Sequence, residues 1–337
     1  MKTALKYLHH KCIDSNSRWY PLLGIYYLTH QCNFHCPYCS NGRGTPYHEL
    51  SPGINSSREV ALRILEKIRS YVDHLVITGG EPLEHPAAES ILKELGTFNF
   101  KTISLNTNGF KLDTFLPAIA SNLSTLIVSL DTLNETKADA WSGLGSGTLQ
   151  KILANIKKAA SYPGRKYHIM ISSVITPKNM DDLYEVYRYT ADNGFFLAVC
   201  PALQGRIPHP KLIENDSYQR LLTFLIQEKK KGGKIFGSIN YLQHMQAFKA
   251  FTCHPFSILA VNPSGDILYP CLEIGHHAGS ILENESLHFL RHQAEQKYGP
   301  APKCQDCCYS ACALGFSLAI EHPWKEVSSR LFGFTNI

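Results

Sequence analysis

The chain has 337 residues, 44% of them apolar and 18% charged, with a formal net charge of +5. That composition excludes a disordered or collagenous protein, and the charge carries no Lys/Arg run of the kind that coats nucleic acid. The opening stretch "MKTALKYLHHKCIDSNSRWY" lacks a signal-peptide core, and no segment approaches the roughly 18 apolar residues of a membrane span, so the expected setting is the cytoplasm, with no membrane partner.

Taken in chain order, β-rich runs fall at 22–28, 74–78, 101–106, 125–130, 167–175 and 195–200. Helical patterns lie between them. "SSREVALRILEKIRSY" places Val60, Ile64, Leu65 and Ile68 on one face and offers Ser56 and Glu59 as a capping box. "TLQKILANIKKAA" (148–160) and "MDDLYEVYRYTADNG" (180–194) repeat the pattern, and "EKKKGGK" (228–234) places lysines at the negative end of a further helix. "GLGSG" (143–147) reads as a flexible loop, having no phosphate-binding Lys and no strand before it. Strand–helix alternation of this kind builds a parallel sheet covered by helices, and six units are too few to close an eight-stranded barrel. The expected fold is therefore α/β, a partial (β/α)6 barrel.

After about residue 250 the pattern changes. "FSILAVNPSGDILYP" reads as a hairpin, followed by a helix at "ENESLHFLRHQ" and a cysteine-dense tail. The expected division is an N-terminal extension over 1–21, the barrel over 22–234, a small domain with a β-hairpin and helix over 235–320, and a tail over 321–337.

Eleven cysteines in a reducing compartment point to metal or catalysis before disulfides. "THQCNFHCPYCSNG" (29–42) gathers Cys32, Cys36 and Cys39 just after the first strand, at the carboxyl edge where parallel α/β folds place ligands. A structural zinc site needs a fourth ligand, which His30 or His35 offers. A four-iron cluster held by three cysteines instead leaves one iron open to an external ligand.

With its aromatic Tyr38 before the last cysteine, the C-x3-C-x2-C spacing resembles the signature of radical S-adenosylmethionine (SAM) enzymes. "TGGEP" (78–82), "NTNG" (106–109) and "VSLDT" (128–132) follow the next three strands and resemble further segments of that family. The resemblance implies a [4Fe–4S] cluster on Cys32, Cys36 and Cys39 whose open iron is chelated by SAM. It also implies a reductant such as flavodoxin or ferredoxin, and a 5′-deoxyadenosyl radical that abstracts a substrate hydrogen atom. Tyr38, Gly79, Gly80, Glu81, Asn108, Ser129, Asp131 and Gln204 are the expected SAM-binding residues, with the glycines leaving backbone free to approach a ligand. Cys200, at the end of the sixth strand, is a candidate hydrogen donor.

The tail offers Cys253 and Cys271 on either side of the hairpin, then "CQDCCYSAC". Paired cysteines around a hairpin also mark a zinc ribbon. The arrangement resembles the Twitch and SPASM extensions of radical SAM enzymes, which implies one auxiliary [4Fe–4S] cluster on Cys253, Cys271, Cys304 and Cys307, with Cys308 or Cys312 as substitutes. About 20 residues before the first strand cannot form a peptide-recognition domain, which favours a small-molecule substrate over a ribosomal peptide. A zinc-stabilised binding protein is the competing class.

Overall fold

The computed structural model describes residues 6, 9–10, 19–39, 49, 55–283, 285–302, 304 and 308–323. Its frame is a nine-stranded sheet in the order β11-β10-β9-β1-β2-β3-β4-β5-β6. The strands are β1 (Leu23–Thr29), β2 (His74–Gly79), β3 (Thr102–Thr107), β4 (Thr125–Ser129), β5 (His168–Ile175), β6 (Phe196–Pro201), β9 (Ile258–Val261), β10 (Asp266–Tyr269) and β11 (His276–Ser280). β1 to β6 run parallel in sequence order, so all six carboxyl ends meet at one edge. Among the described residues β11 and β6 are not paired with each other, so the barrel is open, as expected for six units.

Each predicted strand is present within one residue of its expected bounds. The first helix, α1 (Arg58–Tyr71), buries Ala61, Ile64, Leu65 and Ile68. Burying each of the larger three contributes about 1.5–3 kcal/mol, against about 1 kcal/mol for a helix cap, so the apolar stripe decides the helix. The cap itself is Ser57, which accepts from Val60 N, not Ser56 as the capping-box pattern suggested. The remaining outer helices are α2 (Ala88–Glu94), α3 (Leu112–Ile119), α4 (Glu135–Ser142), α5 (Thr148–Ser161), α6 (Asp182–Asp192), α7 (Asp216–Lys230) and α8 (Ile239–Ala247).

The hairpin predicted at 256–270 is β9 and β10, but it does not stand apart: β9 runs parallel to β1, pairing Leu23 with Ile258 and Tyr26 with Val261. The C-terminal strands thus extend the barrel sheet. After β11 come α9 (Leu287–Tyr298) and α10 (Ala311–Glu321). Strand alternation then sorts β1. Tyr26 and Leu28 join the core beneath the outer helices, while Leu23, Ile25 and Tyr27 point inward to Ala260, Leu268 and, on α10, Cys312 and Phe316. α10 is therefore an inner plug. No helix among the described residues is long and apolar enough to cross a membrane.

His74, at the start of β2, is 2% exposed and its Nδ1 lies 2.8 Å from Thr102 Oγ1 on β3. Burial lowers its pKa to about 4. The folded state therefore binds this proton more weakly than the unfolded chain; stability is fully present above pH 6.5 and is lost as pH falls towards 4. The loss is of order 3 kcal/mol at pH 4. A His74→Leu variant is expected to flatten this acid limb in denaturant titrations between pH 7 and 4; an unchanged limb would show that His74 does not set it.

Candidate active site

β1 delivers the chain into the cysteine loop at the carboxyl edge of the sheet. There Cys39 N donates to Cys36 O at 3.0 Å, Phe34 N donates to Cys32 Sγ at 3.3 Å, and His35 N reaches Ser142 O at 3.0 Å. The three thiols are half-buried and none is in a disulfide. Burial pushes Cys32 up to about 12 and Cys36 higher still, with the two thiols, Cys39 and nearby carboxylates adding to the shift. The named charges that raise these thiols are anionic: Glu81 and Glu84 at Cys32, and Asp131 at Cys36. A site that gathers thiols under a negative field suits a polycation, which would deprotonate them outright. Among the described residues no three His, Cys, Asp or Glu side chains are grouped closely enough to hold one metal ion.

The glycines of "TGGEP" pack closely against the cysteine loop. Gly79 has φ +152°, and a Cβ there would collide with the Thr29 carbonyl; at Gly80 it would collide with those of His30 and Gln31. Gly80 N donates to Thr29 O at 2.8 Å and Glu81 N to Gln31 O at 2.7 Å. The absence of side chains thus lets the end of β2 seat the start of the cysteine loop.

Glu81, 2% exposed, is turned inward to the protein. Its Oε1 accepts from Thr107 Oγ1 (2.7 Å) and Leu83 N (3.0 Å), and its Oε2 from Asn108 N (2.6 Å). Burial raises its pKa to about 7, and those donors oppose the rise. The carboxylate ties the "NTNG" turn to the "GGEP" turn. A Glu81→Ala variant strands three donors and is expected to lose about 3–5 kcal/mol of stability in urea titrations. A loss below about 1 kcal/mol would contradict that role.

Asn108 Nδ2 donates to Asn33 Oδ1 at 2.7 Å, joining β3 to the cysteine loop. Asn33 was not singled out in the sequence; its position inside the loop opposite a second short amide was the available signal. Its own Nδ2 is buried with no partner among the described residues. Asp131 accepts from the Tyr38 hydroxyl through Oδ2 and from Val174 N at 2.6 Å through Oδ1, which fastens the cysteine loop to β4 and β5. Burial raises Asp131 to about 6, against those two donors. The Tyr38 ring meets Trp141 edge-on, with centroids 5.7 Å apart. Ser129 is half-buried at the end of β4 beside Ser172. Gln204 is exposed on a short hairpin formed by β7 (Leu203–Gln204) and β8 (Ile207–Pro208), which follows β6.

"GLGSG" is held in place: Asp139 accepts from Gly147 N (3.1 Å), Thr148 N (3.1 Å) and Leu149 N (3.3 Å), capping α5, and Gly143 lies against His35. It is a braced cover beside the cysteine loop, not the flexible loop its composition suggested.

The hairpin β9–β10 does bring Cys253 and Cys271 together, and with Cys304, Cys308 and Cys312 they line one cavity of about 50 Å³. Burial raises Cys253, with Cys271, Cys308 and Cys304 adding to the shift, so these four stand as mutual neighbours. Cys307 lies outside the described residues. Cys312 reaches the same cavity from α10 while packing against the inner apolar cluster. Cys200, on β6, is pushed up to about 12 by burial, with Asp131, Cys312 and Glu273 adding to the shift.

Fold and site together define an open α/β barrel whose first strand-end loop carries three free thiols. Residues 26–190 match the model of the Radical SAM superfamily, so the chain carries a radical SAM domain. It is an enzyme, and its fold implies a [4Fe–4S] cluster and SAM. The chain is 30% identical over 189 residues to a GTP 3′,8-cyclase of Peptoclostridium acidaminophilum, covering 53% of this chain and 55% of that protein. It is 34% identical over 128 residues to human molybdenum cofactor biosynthesis protein 1, covering 37% of this chain and 20% of that one. The chain thus spans about half the length, or less, of these curated relatives. In fold it is similar to Streptococcus suis SuiB bound to S-adenosylmethionine (TM-score 0.62, 17% identity, 85% of this chain and 69% of that one). It is also similar to anSMEcpe with bound AdoMet (TM-score 0.58, 18% identity, 92% and 95%).

Proposed function

We propose that this chain cleaves SAM at Cys32, Cys36 and Cys39 and abstracts a hydrogen atom from a small biosynthetic molecule, in a net oxidation or rearrangement. The observation that carries the reading is the three-thiol loop fastened at Asn33 and Tyr38 to Asn108 and Asp131 on successive strand ends. When bound, the cluster and SAM supply the 5′-deoxyadenosyl radical, given an electron from a carrier such as flavodoxin or ferredoxin. The chain's part is to hold the loop rigid through Glu81 and Asp131, and to keep the lumen dry behind Leu23, Ile25 and Phe316. Tyr38, Gly79, Gly80, Asn108 and Ser129 line the strand-end rim where SAM would lie.

The second set, Cys253, Cys271, Cys304 and Cys308, would hold an auxiliary [4Fe–4S] cluster in a Twitch-like arrangement over residues 235–320, able to take an electron from a substrate radical. Cys200, kept protonated by burial, would be the group that returns a hydrogen atom instead. The GTP cyclase relatives support a small-molecule substrate. A peptide substrate is the second reading, supported by the structure of SuiB bound to precursor peptide SuiA, which matches across 99% of this chain at a TM-score of 0.63.

Anaerobic reconstitution with dithionite and SAM is expected to yield 5′-deoxyadenosine and a brown protein with about eight irons. A colourless zinc protein, or no 5′-deoxyadenosine, would overturn the reading. Deuterated candidate substrates that label the 5′-deoxyadenosine would identify the substrate class.

A further inference from the structure

Among the described residues one permanent cation lines the cavity of the second cysteine set, and it comes from the barrel: Arg206. It sits in the two-residue turn between β7 and β8, with Gln204 paired to Ile207. Gly205 takes φ +63° at the first turn position, where a type II′ hairpin turn requires glycine. The hairpin is rooted on the sheet, because Ala202 N donates to Ile175 O and His209 N to Ala202 O, both at 2.8 Å. The fold therefore carries an arginine from the end of β6 across to the auxiliary cysteines. No hydrogen bond or ion pair joins its guanidinium to another described residue.

The rest of that wall is largely sulfur and hydrocarbon, including Ile25, Ile258, Leu268 and Leu272, with His254, Ser310 and Glu273 as its other polar side chains. Arg206 is exposed at the hairpin turn, and its planar fork matches a carboxylate or phosphate through two parallel N–H donors. We propose that Arg206 binds an anionic oxygen group, carboxylate or phosphate, of the substrate at the auxiliary cysteines; this rests on the radical-enzyme reading above. The enzyme would then accept a small molecule carrying such a group and reject its neutral analogue. An arginine beside four thiolates could instead only balance the charge of a loaded centre, and the experiment separates the two roles.

The full chain, reconstituted anaerobically, is titrated with inorganic phosphate and, in a parallel arm, with acetate, following the electron paramagnetic resonance signal and midpoint potential of the reduced auxiliary centre. At least one anion is expected to perturb the signal saturably. Arg206→Gln is expected to weaken that response at least tenfold and Arg206→Lys by less, at parent iron content. A response to phosphate alone assigns a phosphate group, and one to acetate alone a carboxylate. No response to either anion, an undiminished response in Arg206→Gln, or a potential shifted in that variant with no anion dependence, each overturns the proposal. Iron at the first loop alone in the parent would instead defeat the reading beneath it.

Discussion

A Cys36→Ala variant is expected to form no 5′-deoxyadenosine above background and to hold about four irons where the parent holds about eight. The loop that carries Cys32, Cys36 and Cys39 is fixed by contacts on every side: Gly80 and Glu81 at its start, Asn108 at Asn33, Ser142 at His35 and Asp131 at Tyr38. A rigid loop cannot swing a replacement ligand into the gap. The nearest nitrogen ligand in sequence, His35, packs against Gly143. Two remaining thiols leave a four-iron core half-held, and the loss of SAM cleavage should be complete. Retention of the other half of the iron serves as the control for folding. Parent-like iron and activity in this variant would remove the three-thiol loop from the mechanism.

What the sequence made legible was local. Each strand of the barrel is a short apolar run ended by a recognisable turn, and parallel β/α units place those turns at a common edge, so "TGGEP", "NTNG" and "VSLDT" could be set beside the cysteine triplet without coordinates. The pairing of β9 with β1 could not be seen, because more than 200 residues separate Leu23 from Ile258 and nothing in either run names its partner. The roles of Glu81 and Asp131 were also hidden. A carboxylate at a strand end suits a ligand ammonium or ribose as well as it suits the N–H groups of Asn108 and Val174, and only burial and the facing donors decide. Asp139 turned "GLGSG" from a loose linker into a helix cap by the same kind of contact. Arg206 was passed over because a lone arginine beside a glycine is an ordinary surface turn until a cavity is found beneath it.

The auxiliary centre should depend on Cys308. Cys308 stands on the cavity wall with Cys253, Cys271 and Cys304, and on the proposed reading these four would supply the ligands of one closed cluster. Cys308→Ala is therefore expected to lower the iron content from about eight to about four while the first loop still cleaves SAM to 5′-deoxyadenosine in the absence of substrate. Cys312→Ala should keep all of its iron, because that side chain rides on α10 and packs against the inner cluster that includes Leu23 and Leu268. The C-x2-C spacing of Cys304 and Cys307 made Cys307 attractive in the sequence, since that spacing commonly places both thiols on one metal. Full iron in Cys308→Ala would restore that choice. Loss in Cys312→Ala would require α10 to leave the lumen, and a wetter lumen would then quench the radical before it reached substrate.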